Sequence, residues 1–511
     1  MLKSKKSFFK SLAILMTAVV CLTSVNADAL AYTMNYNFTG PKDPGYPVFS
    51  GNGAPAEPVA YTTNNMMQAI YNAEKNGTSF WMDRMLNQTG NSPDTNDLFT
   101  RGRMLLLKSH DPSILGFAGG THYGDVVDDN KSIYTVTVSP GTFTENVASR
   151  NNYPSYWASE YNNSSSINIK ETKFITNNNV AVTLLTIKNN GTSSSNITVT
   201  ASSPFTTAAN GNEIVGTVAS PMMWKEYNAS QYPYVDGLTT ANVKLSGDSM
   251  TASGTSITRS ITLAAGQSVQ TKVQLGWTTQ ELPESTTEYT TYKGYTNDTA
   301  FAAQVKTYNQ WWADNIPYID VPDTYIKKIL YYRWWLNRFN SIDGNIPGND
   351  WQFPAPVEGA LGYANQITVS VPWIMDDLKY LRNPIYDYGT FLTEGEIAET
   401  GAYRDNPARR WMWNKLMMQY ISKAGWEGYK THGGPLTILK NFSKYAENDI
   451  NGQLAAYDQN NNKLLAYSDS TITGNDGCLP SMQSYSTDGN ERNSERIDAS
   501  SYNYANAIAA A

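Results

Sequence analysis

The sequence predicts a multidomain β + α protein, an N-terminal antiparallel β-sandwich followed by an all-α toroid of helical hairpins. Three observations carry this. A long first part is written in Thr, Ser, Asn and Gly with short alternating apolar runs, the pattern of half-buried strands. Near Asn297 the apolar period changes to steps of three and four, the helical pattern. No strand-like run separates the helical stretches that follow, so a βαβ alternation is excluded.

The N-terminus comes first. Lys3, Lys5, Lys6 and Lys10 precede the apolar run "LAILMTAVVCLTSV", and Ala29 and Ala31 then stand before Tyr32. A basic start, a short apolar run and small residues make a secretory signal over 1–31, cleaved after Ala31, so the mature chain is expected outside the cell. The run is shorter than a bilayer-spanning helix needs, and no integral membrane segment is expected after cleavage. Bulky Val20 argues against lipid attachment at Cys21. Of the two cysteines only Cys478 then remains, so no intrachain disulfide is expected and packing must supply stability.

Residues 32–296 read as the sandwich domain. "VAVTLLTIKNNGTSSSNITVTASS" predicts two strands around an Asn-Asn-Gly turn, because β-branched residues flank positions that tolerate positive φ. "SITRSITLAAGQSVQTKVQLGW" repeats the pattern. Met66, Met67, Ile70 and Tyr71 in "YTTNNMMQAIYNAEKNG" stand at helical spacing and predict one short helix on the sandwich. Asp125, Asp128 and Asp129 in "DVVDDNKS" lack the spacing of a calcium loop and read as a solvated turn.

A linker helix is expected over 297–322. Phe301, Val305, Tyr308 and Trp312 recur at steps of four, three and four, with Asp298 as cap and Pro317 as stop. The region 323–511 supplies the toroid. Pro322 and Asp323 open a helix whose Ile326, Leu330, Trp334 and Trp335 surround most of its circumference, which predicts burial on more than one side. "VSVPWIMDDLKYLRN", "NPARRWMWNKLMMQYISKAG", "GPLTILKNFSKYAENDIN" and "DASSYNYANAIAAA" are the further helical stretches. Asp376 and Asp377 fall on the wet side of the first of these.

Composition narrows the chemistry. Net charge is −7 and charged residues are 16% of the chain, with no basic stripe beyond the N-terminus, so no nucleic-acid partner is expected. Three scattered histidines, His110, His122 and His432, build no metal site, and no cofactor is expected. There is no Gly-x-Ser-x-Gly elbow and no phosphate-cradling glycine loop. Aromatics reach 12%, with 34 Tyr and 13 Trp, residues whose flat faces and polar handles suit stacking on sugar rings and equally suit an ordinary core.

Carboxylates remain as candidate acids and bases. In "TITGNDGCLPSMQ", Asp476 sits between Asn475 and Gly477 in a loop between two helices. By residue types it is a turn former. A partly desolvated loop packed by aromatics would also keep such an acid protonated.

"FAAQVKTYNQWWADNIPYIDVPDTYIKKILYYRWW" and "DDLKYLRNPIYDYGTF" resemble segments of bacterial glycoside hydrolases that join a β-sandwich to an (α/α)6-barrel catalytic domain. That group includes mannosylglycerate hydrolases, trehalases and glucosidases that trim N-glycans. The resemblance covers roughly Ala300 to Ala511 and is diffuse outside one turn. In that turn the relatives carry Ser-Gly-hydrophobic-Asp, and Thr473, Gly474, Asn475 and Asp476 match it here. The resemblance implies an (α/α)6 toroid, a carbohydrate substrate and Asp476 as general acid of an inverting glycosidase, whose two carboxylates stand about 6.5–9.5 Å apart. Asn475 replaces an apolar residue of the motif, which leaves the substrate class open.

The other candidates each carry two readings. Asp498 touches substrate by resemblance, or caps the terminal helix. Glu358, in "APVEGALGY", meets a sugar hydroxyl or is a solvated loop residue. Trp351, Trp373, Trp411 and Trp426 are stacking platforms or core. An (α/α)6 barrel has twelve helices and about six follow the junction. The base glutamate is therefore expected beyond Ala511, and this chain alone is expected to have little glycosidase activity. Two other readings stay open: a polysaccharide lyase on a similar toroid, for which Arg404, Arg409 and Arg410 provide few basic groups, and a non-catalytic carbohydrate-binding surface protein. New ultraviolet absorbance from unsaturated products marks a lyase, and reducing ends without it mark a glycosidase.

Overall fold

The computed structural model describes residues 49–50, 54–55, 98, 100–123, 126–152, 155–220, 239–280, 282–316, 322–343, 353–359, 365–398, 401–407, 416–433, 436–467 and 494–511. The expected signal at 1–31, the helix expected over 61–77, Trp351, Trp411, Asp476 and Cys478 lie outside these residues.

Two antiparallel sheets face each other. The larger has eight strands in the spatial order Ala208–Asn210, Glu213–Ser220, Thr239–Gly247, Ser268–Thr278, Val180–Asn189, Ile167–Ile175, Trp157–Asn162 and Thr144–Asn152. The smaller has five, in the order Thr251–Ser253, Ser256–Leu263, Ser195–Ser202, Tyr134–Ser139 and Leu115–Phe117. Ile169, Leu185, Ile187, Val273 and Leu275 from the first meet Val136, Ile197, Val199 and Ile257 from the second in one core.

The expected turn at Asn189, Asn190 and Gly191 corrects itself here. Its flanking strands do not pair with each other: Val180–Asn189 pairs with Ile167–Ile175 and Ser268–Thr278, whereas Ser195–Ser202 pairs with Ser256–Leu263 and Tyr134–Ser139. The segment is an arch between sheets, and "LAAGQ" is a second arch beside it. Asn189 ties the two together. Its backbone N–H donates to Gln267 O at 2.9 Å and its carbonyl accepts from Gly266 N at 2.8 Å. Its side chain donates to Leu263 O at 3.0 Å and accepts from Gly191 N at 2.9 Å. The buried Asn189 side chain thus bonds to both arches, each of which carries the chain from one sheet to the other.

Eight helices are used below: α1 (Pro283–Gly294), α2 (Asn297–Asn315), α3 (Thr324–Asn340), α4 (Val371–Leu378), α5 (Ile385–Ala398), α6 (Ile421–His432), α7 (Leu436–Tyr457) and α8 (Ile497–Ala510). Helix α1 lies within the stretch read as strands. It covers the outer face of the large sheet, where Tyr289 and Tyr292 join Val180, Val182, Leu184 and Phe174 in a second core. Strand Val180–Asn189 is thus covered on both faces, which explains why "VAVTLL" runs apolar without alternating. Gly276 makes room for this cover, since a Cβ there would lie 2.6 Å from the Tyr289 ring. Burying each of these rings contributes roughly 1.5–3 kcal/mol.

Helix α2 sits where the linker helix was expected, turned by one position. Among its described residues Asn297, Ala300, Gln304 and Asn315 are buried, while Phe301 and Val305 are half-buried. Polar anchors explain the turn: Gln304 donates to Ser155 O at 3.0 Å, and Asn297 to Leu185 O at 3.2 Å. The cap is Thr296, whose hydroxyl accepts from Thr299 N, and not Asp298. On α3, Asp323 caps as expected, accepting from Ile326 N at 3.2 Å. Trp334 and Trp335 are buried, but Ile326 and Ile329 are exposed, so the first turns lack the all-round cover that their composition predicts.

Two boundaries move. "NPARRWMWNKLMMQYISKAG" is not one helix: Asn406–Pro407 pairs with Asn365–Gln366, residues 416–420 have no regular structure, and α6 begins at Ile421. Asn506 on α8 holds this non-helical piece by donating to Gln419 O at 2.9 Å. Helix α5 was not foreseen as a separate helix. It is lined by buried Tyr388, Phe391 and Leu392, but also by buried Asp387, Thr390, Thr393 and Glu394, so its apolar period is broken.

Alternate helices are neighbours. Helix α6 packs between α4 and α8, while α5 packs on α7. Glycines set the spacing: a Cβ on Gly425 would overlap Phe391, one on Gly428 would overlap Asp387, and one on Gly395 would overlap Tyr445.

Candidate functional site

The row α4, α6, α8 presents an aromatic surface. Helix α4 turns Val371, Pro372, Met375 and Leu378 into the core. The same periodicity puts Trp373 and Asp376 outward, and Trp373 is 57% exposed. Tyr420, at the entry to α6, meets the Trp373 ring edge-on with centroids 5.5 Å apart. Tyr502 on α8 extends the patch, 5.8 Å from Tyr420. Tyr380, 56% exposed, continues it past the end of α4.

Polar groups stand among these rings. The Tyr420 hydroxyl bonds to the Asp376 carboxyl; burial, then the Asp376 and Tyr502 charges, push the phenol up to about 12. Lys379 donates to Asp376 Oδ1 at 2.7 Å, and Lys423 Nζ lies 5.5 Å from the Tyr420 ring centre. An exposed indole face with acceptors and donors beside it can stack on the apolar face of a sugar ring and bond its hydroxyls.

Acidity is distributed differently. Glu427 on this surface is held below its ordinary value, first by its hydrogen bond to Lys430 at 2.8 Å. It stays ionised and cannot donate a proton near neutral pH. Burial raises Asp377 on α4, against a hydrogen bond from Arg333 at 2.9 Å, and raises two further acids within the helix packing. Burial pushes Asp387 well above the carboxylate range, and burial pushes Asp449 up to about 6 against hydrogen bonds from Tyr403 N and Gln453. Both are fully buried, out of a solute's reach. Asp449 is structural: it accepts from Tyr403 N at 2.9 Å and from Gln453, whose carbonyl accepts from Asn503 on α8 at 3.1 Å.

Among the candidates read from sequence, Trp373, Trp426 and Asp498 fall on this one row of helices. Trp373 is open. Trp426 is half-buried, stacked on Tyr429 with centroids 5.8 Å apart and planes 14° from parallel. Asp498 is not the cap, because it lies inside the first turn of α8, after Arg496. Its carboxylate accepts from the Tyr467 hydroxyl at 3.3 Å and lies 3.7 Å from Arg496. Glu358 is elsewhere, in the connection between α3 and α4, where its N–H donates to Asn365 O at 2.7 Å. Sequence reasoning missed Tyr420 and Tyr502 as parts of the surface. Their signal is absent locally, because each becomes a platform only where three helices meet.

No family model matches the chain. One solved structure, named as an inferred kojibiose phosphorylase from human microbiome, is similar over 72% of this chain and 55% of its own, with 10% identity and a TM-score of 0.44. This chain thus spans just over half the length of that one. At that TM-score the likeness carries no argument for a shared fold or activity.

Proposed function

We propose that the chain is a carbohydrate-active protein of the glycoside-hydrolase kind, with the Trp373 surface as a sugar-contact platform. The observation that carries it is the open Trp373 face with Tyr420 set at 79° to it and the Asp376–Lys379 pair alongside. In this reading the alternating helix rows belong to an (α/α)6 toroid, Asp476 is the general acid, the reaction is inverting, and the chain is secreted after cleavage at Ala31. Asp498, Glu358, Trp351, Trp411 and Trp426 line further sugar contacts. The turn resemblance at Thr473 to Asp476 supports the acid role, and Glu427 on the described surface is held ionised and does not fill it.

The test uses the purified chain and a panel of gluco-, manno- and galacto-oligosaccharides. Tryptophan fluorescence reads binding, and reducing-end release reads hydrolysis. Trp373→Ala should weaken binding about fivefold, and Asp476→Asn in the full-length protein should lose hydrolysis with binding intact. Unchanged hydrolysis in Asp476→Asn removes the acid assignment. The open Trp373 face, which can hold a sugar without any chemistry, favours as second reading a non-catalytic sugar-binding protein. Binding weakened in Trp373→Ala, with no reducing ends released by the full-length protein, selects that reading.

A further inference from the structure

Between the sandwich, α2, α3 and α5 lies a cleft of about 280 Å³, lined among others by Arg101, Asn178, Glu288, Gln304, Thr307 and Arg338. Its floor is built from two aromatics of α2 and one arginine of α3. The Arg338 guanidinium carbon lies 3.8 Å from the Tyr308 ring centre and 4.1 Å from that of Trp311. Trp311 is fixed in turn, donating its indole N–H to the Tyr386 hydroxyl of α5 at 2.7 Å. Two π-faces therefore hold the planar group from either ring and set the direction of its edge.

That edge is underused. A guanidinium carries five N–H donors. Among the described residues Arg338 makes one hydrogen bond, to Tyr308 O at 3.3 Å, and no carboxylate ion-pairs with it. Arg101 shows what a purely structural arginine does in the same cleft, spending its donors on Gly102 O, Arg103 O and Phe339 O. Glu288 is also committed, accepting from the Thr176 hydroxyl at 2.6 Å and Asn178 N at 2.8 Å, so it does not neutralise Arg338.

We propose that this cleft binds one carboxylate-bearing sugar ring, a uronic acid residue, with Arg338 as the receptor of its carboxylate. The planar two-oxygen anion matches the guanidinium fork, and the amide and hydroxyl groups of Asn178, Gln304 and Thr307 meet a polyhydroxylated body. A volume near the lower limit of small-molecule sites suits a single ring. Arg101, Arg103 and Arg338 beside the one acid Glu288 leave the cleft cationic, as an anionic ligand needs, and the amide and hydroxyl contacts to the ring select a sugar acid over bare phosphate. The proposal does not rest on the Trp373 surface.

Calorimetric titration of the full chain at low salt with glucuronate, glucose and inorganic phosphate tests it. Glucuronate should saturate one site and glucose should bind at least about tenfold more weakly, the worth of one charge-assisted pair. Arg338→Lys should weaken glucuronate at least about tenfold, since it keeps charge and loses the fork. Thr307→Phe, a change of an exposed residue that fills the cleft, should abolish binding and decides the matter if Arg338→Lys does not fold. Trp373→Ala should leave glucuronate binding unchanged, which separates this site from the sugar platform. No glucuronate binding, equal binding of glucose, or phosphate binding as tight as glucuronate overturns the proposal.

Discussion

The carboxylate of Asp387 rests directly on Gly428: a Cβ on that glycine would overlap Asp387 Oδ2. Helix α6 approaches α5 this closely only because residue 428 has no side chain. Neither Asp387 oxygen accepts a hydrogen bond among the described residues, and burial drives its pKa well above the carboxylate range. A neutral acid is thus packed as if it were an apolar group.

Gly428→Ala should destabilise the protein by about 1–3 kcal/mol, the usual cost of overpacking. The double variant with Asp387→Ala should recover part of that, because the second change removes the atoms the methyl strikes. Urea unfolding of both variants checks this. Fully additive losses would show that the contact is not what limits the approach.

Stability should fall as pH rises from about 4 to 7. Asp449 is raised to about 6 in the folded state, so the folded chain holds its proton more tightly than the unfolded chain does. Its favourable contribution is full below the unfolded value near 4 and is lost as pH passes about 6. Asp387 adds a loss of the same sign at higher pH. Thermal melts of Asp387→Asn and Asp449→Asn should show a shallower decline than the unaltered chain, and an unchanged slope in both would contradict the assignment.

Glu171 and Lys173 form an ion pair at 3.1 Å with both side chains fully buried between the sheets. Together they take both backbone groups of Gly116 on the opposite sheet, at 2.7 Å and 2.6 Å. Lys173→Met should cost about 3–5 kcal/mol because it strands the carboxylate, whereas Lys173→Met with Glu171→Leu should cost much less. Denaturant midpoints with unchanged m-values would report this. A double variant as damaged as the single would mean that the Gly116 bonds matter more than the charges.

Trp373→Ala should leave stability within about 0.5 kcal/mol, as for a surface change, while sugar binding falls by about 1 kcal/mol, or roughly fivefold. Paired melting and fluorescence titration read the two effects separately. A large stability loss would place Trp373 in the fold rather than on a binding surface.

Local pattern was enough for much of the architecture. β-Branched runs beside turn-forming residues marked Val180–Asn189, Ser195–Ser202, Ser256–Leu263 and Ser268–Thr278 as strands, and steps of three and four marked α2, α3, α4 and α7 as helices. Helices α1 and α5 were harder to read. The first is rich in Thr and carries only Tyr289 and Tyr292 to the sheet, and the second is buried with polar residues, so neither shows a simple apolar stripe.

Partnership could not be read from the chain. Residue types offered Trp373, Trp426 and Asp498 as site residues, each with a core or capping reading beside it. The meeting of Trp373 with Tyr420 and Tyr502, the clamp of Tyr308 and Trp311 on Arg338, and the two arches sharing Asn189 join residues far apart in sequence. Strand and helix type are local properties of period and propensity. Which faces meet is settled by the burial of surfaces across elements, and that is decided only when the whole tertiary structure closes.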